Sequence, residues 1–229
     1  MNLFPVVQVR GNCAMPVRRI GLCYRSVSGC VPMGDGRRTV AVESTLERDF
    51  ALLQRFDGNV VGLEEQPVRI SYRDDAGAKR SYVPDFLVTY RQGAPKLVEV
   101  KFSTDPALLA GTLKSRFAAA STFAADRGWR FSVVTEIHIR TPRLGNVTFL
   151  LPFRDRTAIP AFKATILMAL RSGGHSAEGL LDMFGTDRAS ALPTLWGMVA
   201  RLELHADLDR PLTMRSQLSL PEVDHGRAV

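Results

Sequence analysis

YVPDFLVTYRQGAPKLVEVK, residues 82–101, reads as two apolar runs joined by a turn, with Asp85 in the first run and Glu99 and Lys101 closing the second. RQGAP, residues 91–95, carries the Gly and Pro of a five-residue hairpin loop. Setting Tyr90 against Lys96 and counting outward puts Asp85 opposite Lys101. Side chains alternate along a strand, so Glu99 shares the Lys101 face while Val98 and Val100 take the other. One carboxylate therefore meets a carboxylate and an amine beside core residues.

On a wet face this would be a cross-strand salt bridge worth only ~0–1 kcal/mol. Strands as apolar as these are mostly buried, and two buried acids with one base are costly without a counter-ion. A divalent cation held by Asp85 and Glu99 removes that cost. Lys101 then stands beside an attacking water or a developing phosphorane charge. Oxygen ligands, an amine and a bridging phosphate are what Mg²⁺-assisted phosphodiester hydrolysis requires, with Mn²⁺ as a substitute.

Working outward, RTVAV reads as a short strand leading into ESTLERDFALLQRFDG. There Leu46, Phe50 and Leu53 recur at helical spacing and Asp57-Gly58 ends the helix. QPVRISYR, RSYVPDFLVTY and KLVEVKF follow as strands separated by DDAGAK and RQGAP. Asp105-Pro106 opens a helix running to about Arg127, and WRFSVVTE is a strand after the Gly128 stop. Helix, three-strand meander, helix and strand make an α/β core with a mixed sheet.

Beyond about residue 155, FKATILMALRSGG, SAEGLLDMFG and DRASALPTLWGMVARLEL are helical, and LHADLDRPLTMRSQLSL alternates as a small hairpin. That order fits a winged helix. The predicted organisation is a basic arm over 1–36, the catalytic core over 37–152, the helical winged-helix-like region over 153–220, and a tail over 221–229.

The chain of 229 residues carries a net charge of +7, distributed unevenly. Residues 1–42 hold six basic and one acidic residue, 43–105 nine and eleven, 106–150 six and two, and 151–229 nine and nine. Basic flanks around an acidic centre suit a metal-dependent site on a phosphate backbone. Solvated surface charge is the plainer explanation. Arg18, Arg19, Arg25, Arg37 and Arg38 of the arm, with Lys114 and Arg116 of the later helix, are the candidate DNA contacts. The neutral C-terminal region is expected to dock a protein instead, through Trp196, Met198 and Phe184, because phosphate binding demands positive charge.

Cys13, Cys23 and Cys30 match no zinc or disulfide spacing and point to a reduced cytoplasm. No apolar run nears the roughly 20 residues of a membrane span, and the N-terminus is not patterned as a signal peptide. The four histidines are dispersed, and no GxSxG, HExxH or phosphate-cradling Gly loop occurs.

Pro84-Asp85 followed by Glu99-Val100-Lys101 resembles the PD-(D/E)xK nuclease pattern. Together with VESTLERDFALLQRFDGNVVGLEEQPVRI and WRFSVVTE, it is similar to TnsA, the endonuclease subunit of heteromeric transposases, over roughly residues 38–140. The resemblance implies a restriction-endonuclease-like fold with a C-terminal winged-helix-like domain. It also implies Mg²⁺-dependent cutting of the 5′ (non-transferred) strands at transposon ends, with a TnsB-like DDE transposase and a TnsC-like AAA+ ATPase as partners. The setting would be the bacterial cytoplasm, at the nucleoid during action. Glu43 and Glu47, one helical turn apart, both qualify as the acid on the helix, and Glu47 also fits a capping box with Ser44. The resemblance selects Glu47. It thereby assigns Glu47, Asp85 and Glu99 as metal ligands and Lys101 as the catalytic amine. A stand-alone restriction or repair nuclease and a non-catalytic DNA-binding assembly module are the alternatives.

Overall fold

The computed structural model describes residues 29–32 and 39–221. Strands β1 (Gly29–Pro32) and β2 (Thr39–Val42) pair antiparallel ahead of helix α1 (Thr45–Phe56). Ser44 caps α1, and Leu46, Phe50 and Ala51 form its buried stripe.

The central sheet has four strands in the order β3 (Val60–Glu65), β6 (Phe86–Tyr90), β7 (Lys96–Val100), β8 (Arg130–Val134). β7 and β8 are parallel and the other pairs antiparallel, so the sheet is mixed as expected. One face carries Phe86, Val88, Val98 and Val100 against α1. The other carries Leu87 and Leu97 against α3 (Lys114–Ala125), whose Ala120 and Ala124 let the helix sit close. A separate hairpin, β4 (Ile70–Arg73) and β5 (Lys79–Tyr82), turns through the DDAGAK segment and packs on the α3 side.

The expected three-strand meander is corrected in two respects. RSYVPDFLVTY is not one strand: it breaks at Val83-Pro84, giving β5 to the small hairpin and β6 to the central sheet. A proline has no N–H for a ladder bond, so the chain changes sheets there. β3 supplies the sheet's outer strand. The turn after β6 is also wider than a five-residue loop, since Val88 rather than Tyr90 stands opposite Lys96. Tyr90 pairs with Val60 of β3 instead. Because the shift is two residues, every side chain keeps its face.

The helix expected from Asp105 to Arg127 is two. α2 (Pro106–Leu109) starts at the Asp105 cap, and α3 follows a turn in which Gly111 takes φ +69°. α4 (Glu136–Ile139) and α5 (Pro142–Arg154) then lead to α6 (Pro160–Leu170), α7 (Ala177–Asp182) and α8 (Arg188–Ala200). β10 (His205–Ala206) and β11 (Gln217–Ser219) form the expected hairpin, and β9 (His175–Ser176) adds a third antiparallel strand. α5 runs across residues 152 and 153, where the core and helical regions were divided. Its Val147, Leu150 and Leu151 share a core with Leu195, Met198 and Leu218.

Trp196 and Met198 do not present a docking face. They are 3% and 0% exposed, with Trp196 edge-on to Phe149 of α5. Phe184 is half-buried against Phe162. Helical spacing marked these positions as apolar, and α5 is the element that covers the α8 side. No helix among the described residues is long and apolar enough to cross a membrane.

Candidate active site

Asp85 stands immediately before β6 and Glu99 lies near the end of β7, both on the face that carries Leu87 and Leu97. Extending the register sets Asp85 level with Glu99, and Lys101 follows on the same side. The Lys101 ammonium lies 3.0 Å from Glu99 Oε1. The Val100 N–H donates to Asp85 Oδ2 at 2.7 Å, tying the two strands at the carboxylate itself. Asp85, Glu99 and Lys101 line one cavity of about 340 Å³, with Asp85 level with Glu99 rather than with Lys101 as the hairpin count had it.

The electrostatics are those of crowded acids. Burial, reinforced by Glu99 and Glu47 and only partly countered by Lys101, holds the Asp85 carboxyl well above the usual carboxylate range. Burial alone would lower Lys101, but Glu99 and Asp85 outweigh it and keep the amine firmly protonated. Glu99 is 2% exposed and accepts a 2.6 Å hydrogen bond from the Tyr82 hydroxyl at Oε2. Burial, then the negative charge of Glu99 and this hydrogen bond, raise the phenol above its ordinary value.

Glu47 sits differently. Its Oε1 accepts from Ser44 Oγ at 3.0 Å and its Oε2 from the Glu43 N–H at 2.7 Å, so its carboxylate closes the start of α1. Asp85 and Lys101 still feel its charge. Glu43, the acid weighed against it, lines the cavity and accepts from Gln66 Nε2 at 2.9 Å. Gln66 has φ +46°, a left-handed conformation uncommon for a residue with a side chain. Its N–H donates to the Asp85 carbonyl at 2.8 Å, pinning the end of β3 beside the acid. Its Oε1 is buried without a hydrogen-bond partner among the described residues.

Arg116 lines the cavity and stacks over Tyr82, whereas Lys114 is exposed at the start of α3. Arg18, Arg19, Arg25, Arg37 and Arg38 lie outside the described residues, as do Cys13 and Cys23. Tyr82 and Arg69 are among the lining residues that sequence reading missed. Tyr82 ends β5 and Arg69 immediately precedes β4, and no local pattern announces the docking of that hairpin over the carboxylates.

Asp85, Glu99 and Lys101 thus share one wall of the cavity, two acids beside one amine. Residues 57–136 match the family model described as TnsA-like endonuclease N terminal. This segment is similar to TnsA-like endonuclease domains. The likeness supports a nuclease of the kind used in Tn7-like transposition. Asp85, Glu99 and Lys101 fall within the TnsA-like segment, while Glu43 and Glu47 precede it. The comparison with curated proteins gives no match.

Among the described residues no group of three or more His, Cys, Asp or Glu is gathered as a metal cluster. The donor chemistry nonetheless suits a hard cation: two carboxylates with lowered access to water and the orphaned amide oxygen of Gln66 share one cavity.

Proposed function

We propose that this protein is the Mg²⁺-dependent endonuclease subunit of a heteromeric transposase, hydrolysing the 5′ strands at transposon ends. The observation that carries the reading is the convergence of Asp85, Glu99 and Lys101 on one face of the sheet within the TnsA-like segment. Asp85 and Glu99 would hold the ion, with Glu47 or Glu43 as the third acid. When bound, Mg²⁺ or Mn²⁺ would withdraw charge from the phosphate oxygens and ease deprotonation of a water.

The chain's own groups have distinct parts. Tyr82 fixes one Glu99 oxygen and Lys101 the other, so this carboxylate cannot rotate away from the site. The Val100 N–H does the same for Asp85. Lys101 carries a full positive charge into a low-dielectric cavity, where it stabilises the negative charge that grows on phosphorus-bound oxygens during in-line attack.

The C-terminal region is proposed to be a winged-helix-like module that binds protein rather than DNA. The order α6, β9, α7, α8, β10, β11 with a three-stranded antiparallel sheet supports the first part. Ala191 and Thr194 through Ala200 of α8 are buried, and its first residue, Arg188, is paired with Asp182 and Glu178. A helix so covered is poorly placed to enter a groove. Its partners would be a TnsB-like DDE transposase and a TnsC-like ATPase.

The test is a nicking assay on transposon-end DNA with the partner proteins and Mg²⁺. Lys101→Ala is expected to lose about 10²-fold or more of the rate. Wild-type activity in that assembly with Lys101→Ala equally active would defeat the assignment.

A further inference from the structure

The wall that faces the carboxylates is basic. Arg69, from the approach to β4, and Arg116, from α3, line the same cavity of about 340 Å³ as Asp85 and Glu99. Lys101 is matched by Glu99 at 3.0 Å, but neither guanidinium forms an ion pair with a carboxylate among the described residues. Arg69 makes a long 3.4 Å hydrogen bond to Ser81 Oγ. Arg116 lies with Cζ 5.2 Å from the Tyr82 ring centre, and its Nε is buried with no acceptor. A buried cationic donor without an acceptor is costly and calls for an anionic partner.

Stacking on Tyr82 fixes the guanidinium plane, and Tyr82 is itself held by Glu99. Arg116 is thereby preorganised relative to the acid wall. Planar forks of this kind match the oxygens of a phosphate better than an ammonium does. We propose that Arg116 and Arg69 form a binding subsite for a backbone phosphate of the DNA strand entering the cavity. The subsite rests on the nuclease reading for its ligand, and it gives the strand a fixed point across from the carboxylates.

The experiment measures binding of the full chain to a transposon-end duplex in EDTA, from low salt upward. Each phosphate contact removed should reduce the slope of log affinity against log salt by about 0.9. Arg116→Gln and Arg69→Gln are each expected to show that loss, Arg116→Lys to recover most of it, and Arg171→Gln, in the turn after α6, to match wild type. Arg69 is exposed, so Arg69→Gln keeps the test decisive if Arg116→Gln does not fold. Unchanged slopes in the cavity variants overturn the subsite, as does an equal loss in Arg171→Gln or a wild type without salt-dependent binding. The measurement needs no cleavage. A reduced slope in a chain that never cuts DNA upholds the subsite and counts against the nuclease reading alone. Unchanged slopes in an active nuclease remove only the subsite.

Discussion

Asp85 is the residue on which stability and activity pull apart. It is placed beside Glu99, within reach of the charge of Glu47, and is compensated only in part by Lys101. Asp85→Asn keeps an oxygen for the Val100 N–H and removes the repulsion. The metal-free variant is expected to melt higher, by on the order of 1 kcal/mol, while cleavage is abolished. A lower melting point in calorimetry would mean that the acid is part of the structural framework. Tyr82→Phe frees one Glu99 oxygen without a change of shape. The Mn²⁺ concentration giving half-maximal cleavage should rise about 10-fold or more, and an unchanged midpoint would show that the phenol has no hold on the carboxylate. Asp85, Glu99 and Lys101 were legible because alternation along two strands survives a register error of two. Glu43 and Glu47 were not separable, since one helical turn divides them and only three-dimensional closure shows which carboxylate caps and which lines the cavity.

Among the elements, α3 sets the depth of the site by its approach to the sheet. Ala120 and Ala124 are both fully buried against the layer containing Leu97 and Leu87. Ala120→Leu would force the helix outward and is expected to cost about 1–3 kcal/mol, read as a fall in the denaturation midpoint. Because Arg116 rides on α3, that variant should also weaken duplex binding, and unaltered binding would mean that the helix position does not govern the cavity. The start of α2 was readable from Asp105-Pro106, whose cap and missing N–H suit a first turn. The break at Gly111 was not, because a glycine within a helical pattern does not by itself reveal whether it will take a positive φ. Likewise the β5–β6 separation turned on Pro84, which the apolar run concealed.

For the molecule as a whole, α1 and α5 unite two cores. Leu46 and Phe50 belong with the central sheet, whereas Phe56 packs with Leu150, Ile166 and Leu195. Arg154 of α5 also reaches the Arg55 carbonyl. A fragment of residues 155–229 would lose Val147, Leu150 and Leu151 from its core. It is expected to show no cooperative melt, and a sharp transition would establish the region as independent. In the full chain Leu150→Ala should destabilise by about 2–5 kcal/mol. The helices of the C-terminal region were legible from their spacing, but α5 was not, because Pro152, Gly145 and a run of β-branched and aromatic residues mask its periodicity. What covers α8 was therefore invisible, and its buried Trp196 read as a docking residue.

A pair of carboxylates gathered with an amine would hold a divalent ion. Calorimetric titration of the full chain with Mn²⁺, wild type against Asp85→Ala, tests this most directly. A well-defined site that weakens at least tenfold in Asp85→Ala is the predicted result; equal affinity in the two chains would contradict it.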